Sequence, residues 1–107
     1  MTADPIPAFR ALADPTRREI LHLLTAESMT IAQVADRFEI TRPAIQKHLS
    51  ILAHAQLIQV EKRGRERINT LNLNGFQDVT DWLSFFDLFW DTRLSDLKSA
   101  ISKDPSP

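Results

Sequence analysis

Apolar residues recur at helical spacing along most of the chain, and the breaks between the runs mark its elements. Ile6, Phe9, Leu12 and Ala13 predict a short first helix over residues 6–13. Asp14-Pro15 follows as an N-cap with proline at the first helical position, where its missing N–H costs nothing. Ile20, Leu21, Leu23 and Leu24 carry a second helix as far as the polar Ala26-Glu27-Ser28. Thr30 with Gln33 fits a capping box and opens a third helix over 31–37. Phe38-Glu39-Ile40 makes a tight connection, and Thr41 caps a fourth helix over 42–55 with Pro43 in its first turn. The period then changes. Ile58 and Val60, and later Leu71 and Leu73, alternate with polar neighbours, and Gly64 lies between them at a hairpin tip. Asn74-Gly75 ends the alternation before a long final helix over 76–103, and residues 104–107 read as a flexible tail. Four helices, two strands and a helix make one mainly α domain over 6–103 with a two-stranded β-wing: a winged helix-turn-helix.

The fourth helix has an unusual polar side. Ile45, Leu49 and Leu52 share its apolar face, while Pro43, Gln46, Lys47, Ser50 and His54 fall opposite and Arg42 projects from its amino end. Solvated helix surfaces usually mix charges of both signs, yet no acidic residue lies between positions 40 and 60. Gln can pair with adenine, Arg with guanine, and Lys with guanine or phosphate, so this is the side a DNA major groove would see. The hairpin adds Lys62, Arg63, Arg65 and Arg67 around Gly64, interrupted only by Glu66. Charge that merely protects a strand edge works as well with Glu or Lys, so three arginines near one tip favour phosphate or minor-groove contact. On this reading Arg42, Gln46 and Lys47 read or flank bases, and Thr30, Arg63 and Arg65 position the backbone.

Composition sharpens the picture only when it is divided along the chain. The 107 residues carry a net charge of −1, which looks wrong for a nucleic-acid binder. Residues 1–36 hold three basic and five acidic side chains, residues 37–67 seven and three, and residues 68–107 three and six. The positive field is concentrated on the fourth helix and the hairpin, and local field matters more than the total in steering a polyanion. Cysteine is absent, which excludes disulfides and thiolate metal sites and fits a cytoplasmic protein. Residues 1–10 lack a basic segment followed by an apolar run, and no stretch has the length of a membrane span, so neither leader nor membrane association is expected. No nucleophile motif, clustered acid–base pair or phosphate loop appears, so no enzyme is expected; two glycines are too few for such a loop.

Two stretches resemble a known family. Phe9-Arg-Ala-Leu-Ala-Asp-Pro-Thr-Arg-Arg-Glu-Ile-Leu is similar to the opening of the ArsR/SmtB winged-helix transcriptional repressors. So is Thr41-Arg-Pro-Ala-Ile-Gln-Lys-His-Leu-Ser-Ile-Leu with Ala55-Gln-Leu-Ile, and the wing Arg63-Gly-Arg-Glu-Arg follows suit. The likeness covers residues 6–73 and implies a homodimer that binds double-stranded DNA at an inverted repeat and represses transcription. It carries DNA contacts onto Thr41, Arg42, Pro43, Gln46, Lys47 and His48, and onto Arg63, Arg65 and Arg67 in the wing. Arg42 and Gln46 stand where relatives often have Gln and Ser, and Ile68-Asn69 stands where they often have paired tyrosines. Many relatives release DNA on binding metal, but the final segment here has Asp78, Asp81, Asp87, Asp91 and Asp96 without a histidine. No metal or cofactor is expected, and an unknown small-molecule or protein effector is left open.

The final segment instead concentrates Phe76, Trp82, Phe85, Phe86, Phe89 and Trp90. Val79, Trp82, Leu83, Phe86, Phe89, Trp90, Leu94 and Leu97 share one side of a helical wheel, a stripe wider than the ~100° that a single contact needs. Burial against a twin subunit is expected, with Phe9 and Leu12 of the first helix as companions. The same aromatics would also suit an effector pocket or a protein partner, and the second option makes the domain an interaction module that never touches DNA. A membrane surface fits less well, because Asp81, Asp87 and Asp91 flank the aromatics where Lys or Arg would be wanted.

Overall fold

The computed structural model describes residues 6–102. The chain runs α1 (Ile6–Leu12), α2 (Pro15–Ala26), β1 (Met29–Thr30), α3 (Ile31–Ala35) and α4 (Arg42–His54). It continues with β2 (Ile58–Arg63), β3 (Glu66–Leu71), a 3-10 turn (Leu73–Phe76), α5 (Gln77–Ser84) and α6 (Asp87–Ser102). The tail expected over 104–107 lies outside the described residues.

The helix starts are held by the side chains expected to hold them. Asp14 Oδ1 accepts from the Arg17 backbone N–H at 3.1 Å, and Thr41 Oγ1 accepts from Ala44 N–H at 3.2 Å. Thr30 and Gln33 close a complete capping box, with Gln33 N–H donating to Thr30 Oγ1 and Thr30 N–H to Gln33 Oε1. Between α1 and α2 the two arginines of the opening motif act as staples. Arg17, only 14% exposed, donates through Nε to the Ala11 carbonyl at 2.7 Å and through Nη2 to the Arg10 carbonyl at 3.1 Å. Arg18 Nη1 donates to the Leu12 carbonyl at 2.7 Å. These are the last carbonyls of a seven-residue helix, of which that of Arg10 also accepts from Ala13 N–H at 3.2 Å while the helix itself supplies no further donors.

Ile20, Val34, Ile45, Leu52, Leu57 and Ile58 are fully buried and join α2, α3, α4 and the start of the wing in one core. α4 contributes Ile45, Leu49 and Leu52, which leaves its other side to solvent. At its end Gln56 adopts φ +66°, the left-handed conformation, and the turn is a full Schellman motif. Gln56 N–H donates to the Ala53 carbonyl and Leu57 N–H to the Leu52 carbonyl, both at 3.0 Å. Two buried leucines, Leu52 and Leu57, accompany it. The segment after β3 packs onto this turn. Asn72 Nδ2 donates to the Gln56 carbonyl at 2.8 Å and Asn72 N–H to the Leu57 carbonyl at 3.0 Å. Gly75 passes so close that a Cβ would collide with the Gln56 carbonyl oxygen.

Three expectations need correction. The sheet has three antiparallel strands in the order β1-β3-β2, not two. Met29 and Thr30 pair with Asn69 and Ile68, and the buried Asn69 side chain donates to the Met29 carbonyl at 3.2 Å. A two-residue strand is too short to show alternation, and Thr30 serves as both strand end and helix cap. Second, β3 ends at Leu71, and Leu73 lies exposed in the 3-10 turn. Third, the helix expected over 76–103 is two helices, so the order ending in a single fifth helix does not hold. The hydrogen bonds tighten to Phe85 N–H with the Trp82 carbonyl and Phe86 N–H with the Leu83 carbonyl, at 3.3 and 3.0 Å. That turn brings Phe86 against Trp82, with centroids 5.0 Å apart, and Trp82 in turn packs edge-on to Phe9 of α1 at 5.6 Å.

Gly75→Ala should destabilise the domain by about 3 kcal/mol, because backbone rather than a flexible side chain blocks the added methyl. Gln56→Gly should stabilise it by about 0.5 kcal/mol, relief of left-handed strain outweighing glycine's greater unfolded-state entropy. Urea midpoints of the two variants, moving in opposite directions, check both.

The Arg17 backbone N–H holds the Asp14 carboxyl below its ordinary value; partial burial opposes this and the Arg17 guanidinium assists. A carboxyl depressed in the folded state contributes stability above its unfolded pKa and loses it as pH falls through the folded one. Asp14→Ala should therefore cost about 1 kcal/mol at neutral pH, with the difference from the parent shrinking in acid-titrated melts below about pH 4.

Candidate nucleic-acid interface

Outward from the core, α4 shows Arg42, Pro43, Gln46, Lys47 and Ser50, all exposed. Gln46 Nε2 donates to Ser50 Oγ at 3.1 Å one turn later, which orients the amide along the helix surface. Thr41 is exposed too, although its hydroxyl is engaged in capping. His48 turns the other way: it is half-buried, with Nδ1 3.4 Å from Arg17 Nη1. It serves helix packing and does not sit on the outer face with Gln46 and Ser50.

The hairpin closes through two residues, Gly64 and Arg65, with Arg63 opposite Glu66. Gly64 at the first central position has φ +61°, as a type II′ turn demands. This register sorts the wing's charges. Arg67 lies directly opposite Lys62, two cations facing each other on one side of the ribbon. Like charges in that position destabilise a strand pair, so folding does not account for them. Arg63 lies on the other side, and its Nη2 meets Glu61 Oε2 at 3.2 Å. Of the three arginines picked out from the sequence, Arg63 is thus already paired, while Lys62, counted in the cluster but not among the contacts, stands with Arg67. A two-residue turn at Gly64-Arg65 fixes that pairing, so the signal was available in the sequence.

Between α4 and the wing runs a groove of about 690 Å³. Arg42, Gln46, Ser50 and His54 line it from α4, Arg65 and Arg67 from the wing, and Thr30 is also among the lining residues. Among the described residues that line it, Glu66 is the one carboxylate. Among the described residues, no carboxylate approaches Arg42, Lys47, Arg65 or Arg67 within ion-pair distance. An open channel with a helix on one side and guanidinium groups on the other has the shape and charge to receive a sugar-phosphate strand.

The expected interface residues divide by exposure. Val79 is buried, and Phe9, Leu12 and Phe86 are half-buried against their own domain. Trp82, Leu83, Phe89, Trp90, Leu94 and Leu97 are exposed, between 48% and 62%. No three His, Cys, Asp or Glu side chains converge among the described residues, and no helix there is long and apolar enough to cross a membrane.

Comparison with known proteins agrees with this geometry. A family model described as a helix-turn-helix domain matches residues 12–61. The transcriptional repressor SdpR of Bacillus subtilis is 40% identical over 78 residues, covering 73% of this chain and 87% of SdpR. The HTH-type transcriptional regulator Rv2034 of Mycobacterium tuberculosis is 30% identical over 100 residues, covering 94% and 91% of the two chains. Among solved structures, an ArsR family transcriptional regulator (RHA00566) superposes with a TM-score of 0.72 at 33% identity, covering 79% of this chain and 93% of that one. With that identity spread over nearly the whole of each relative, and with the helix-turn-helix and wing geometry above, the chain belongs to the ArsR family of winged helix-turn-helix transcriptional regulators.

Proposed function

We propose that this protein is a homodimeric, sequence-specific DNA-binding repressor of transcription. α4 enters the major groove of an inverted repeat, with Arg42, Gln46 and Lys47 at base edges or the phosphates beside them. The β2–β3 wing holds the flanking backbone or minor groove. The observation that carries this reading is the channel between α4 and the wing, walled by three arginines that have no acidic partner among the described residues. The Lys62–Arg67 pair supports it, because a ribbon that opposes two cations gains from a polyanion what it loses in pairing. Repression, as opposed to activation, rests on the kinship with SdpR, which is itself named a repressor.

Two subunits are needed because one recognition helix reads too few base pairs for a unique site, and a twofold repeats the contact about 34–36 Å away. The exposed stripe from Trp82 to Leu97 is the face that twofold would bury. Six large apolar side chains exposed over two successive helices exceed the scattered exposure ordinary for a monomer. The aromatics also suit a protein partner, and the oligomeric state of the purified chain separates the two occupants.

Selection from random duplexes should yield a pseudo-palindrome, with affinity falling steeply as salt rises. Arg65→Ala and Arg67→Ala should each flatten the slope of log K against log salt by about 1.8, two phosphates per dimer at about 0.9 each. Arg63→Ala should change it by less than half as much, because Glu61 already neutralises that side chain. Equal effects from all three would show that the wing's two faces are not distinguished by DNA.

Sedimentation equilibrium should give a dimer at micromolar concentration. Leu94→Glu should give monomers that retain the helix-turn-helix core but bind the selected duplex at least tenfold more weakly. A parent chain that sediments as a monomer until another protein is added would favour the interaction-module reading.

A further inference from the structure

A helix seated in the major groove lies between two phosphodiester strands, and the channel beside the wing accounts for only one. The groove is about 12 Å wide, close to the diameter of a helix with its side chains, so the second strand must run along the other flank of α4. That flank is also hollow. A trough of about 520 Å³ separates α4 from α1, with Ile51 and Ala55 on its floor and Arg10, Lys47 and His54 around it. Among the described residues, no carboxylate lines it. Ser50 and His54 belong to the walls of both hollows and so form the ridge between them.

We propose that the trough between α1 and α4 is a second phosphate seat, in which Arg10 and Lys47 hold the strand across the major groove from the wing. This rests on the DNA-binding reading of α4 and assigns a contact to α1, an element outside the helix-turn-helix and the wing. Two features prepare Arg10 for it. Its backbone carbonyl is tied down by Arg17 Nη2 at 3.1 Å, which fixes the end of α1 against α2, while its side chain stays exposed. Among the described residues, no acidic group pairs with Arg10 or Lys47. With Arg42, Arg65 and Arg67 on one flank and Arg10 and Lys47 on the other, α4 is bracketed by cations as a groove-bound helix is bracketed by phosphates. The bracket fixes how deep and at what tilt Gln46 and the Ser50–His54 ridge enter, and thereby which base edges they reach.

The test uses the full chain and a duplex that the parent protein has selected from a random pool. Salt titration by fluorescence anisotropy is combined with phosphate-ethylation interference on the parent, Arg10→Ala, Arg10→Lys and Arg67→Ala. Arg10→Ala should flatten the salt slope by about 1.8 per dimer, and Arg10→Lys should restore most of it. Interference lost in Arg10→Ala should fall on one strand of each half-site, and interference lost in Arg67→Ala on the strand across the major groove. Alanine is well tolerated at an exposed helical position and leaves the backbone bond to Arg17 in place, so an unchanged thermal midpoint is expected. A parent footprint that Arg10→Ala leaves intact, with the same slope, overturns the second seat alone. A parent chain that protects no duplex at low salt overturns the DNA reading itself, and the seat with it.

Discussion

The turn after α4 sets the angles on which everything else in this molecule depends. A helix proposed to read DNA is useful only if the wing and the terminal helices leave it in fixed directions. Here all three meet around one peptide. Gln56 takes the left-handed conformation that stops α4, Leu57 starts the path into β2, and the Gln56 carbonyl accepts from Asn72 just where Gly75 brings in the terminal helices. Glutamine is not the residue a left-handed position prefers, and the cost is of the order of 1 kcal/mol. The Schellman bonds and the burial of Leu52 and Leu57 outweigh it. Because Gly75 has no Cβ, the last helices start in direct contact with the end of the recognition helix, without a flexible linker between them.

That arrangement separates two kinds of arginine that sequence alone leaves mixed. Arg17 and Arg18, in the stretch most like the family's opening, spend their donors on the Arg10, Ala11 and Leu12 carbonyls. They are structural, and a mainly buried guanidinium at position 17 could not be exchanged for lysine without losing its two-carbonyl geometry. Arg42, Arg65 and Arg67 are held out into the channel with no such work to do. The distinction follows from place: a short helix with unsatisfied carbonyls needs donors beside it, whereas a hairpin tip needs none.

Most of the architecture was legible because its boundaries are marked by side chains with one job. Asp14-Pro15, the Thr30–Gln33 box, Thr41 and Gly64 each announce a local geometry, and each does in the structure what its chemistry requires. The polar face of α4 followed from the position of Ile45, Leu49 and Leu52. What stayed hidden has no such marker. β1 is two residues long and exists only because β3 lies beside it. The break between α5 and α6 contains neither glycine nor proline, and comes from tightened hydrogen bonds and the packing of Phe86 on Trp82. Family likeness carries His48 onto the DNA face, whereas its position beside Leu49, three residues after Ile45, borders the apolar face, and in the structure it is half-buried against Arg17. The trough beside α1 needed a tertiary contact between elements far apart in the chain.

The charge distribution acquires its meaning once these elements are in place. A net charge of −1 would give little attraction to DNA if it were spread evenly. Instead residues 37–67, with seven basic and three acidic groups, supply α4 and the wing, while Asp78, Asp81, Asp87, Asp91 and Asp96 lie on the terminal helices. The field therefore has a direction as well as a sign. Asp81, Asp87, Asp91 and Asp96 discourage the aromatic surface from lying on a polyanion, and the cations on both flanks of α4 draw the reading side toward it. On the proposed reading, a near-neutral chain arranged this way is weakly attracted to phosphate in general and still approaches a duplex in one orientation, which leaves discrimination to Gln46 and its neighbours on α4.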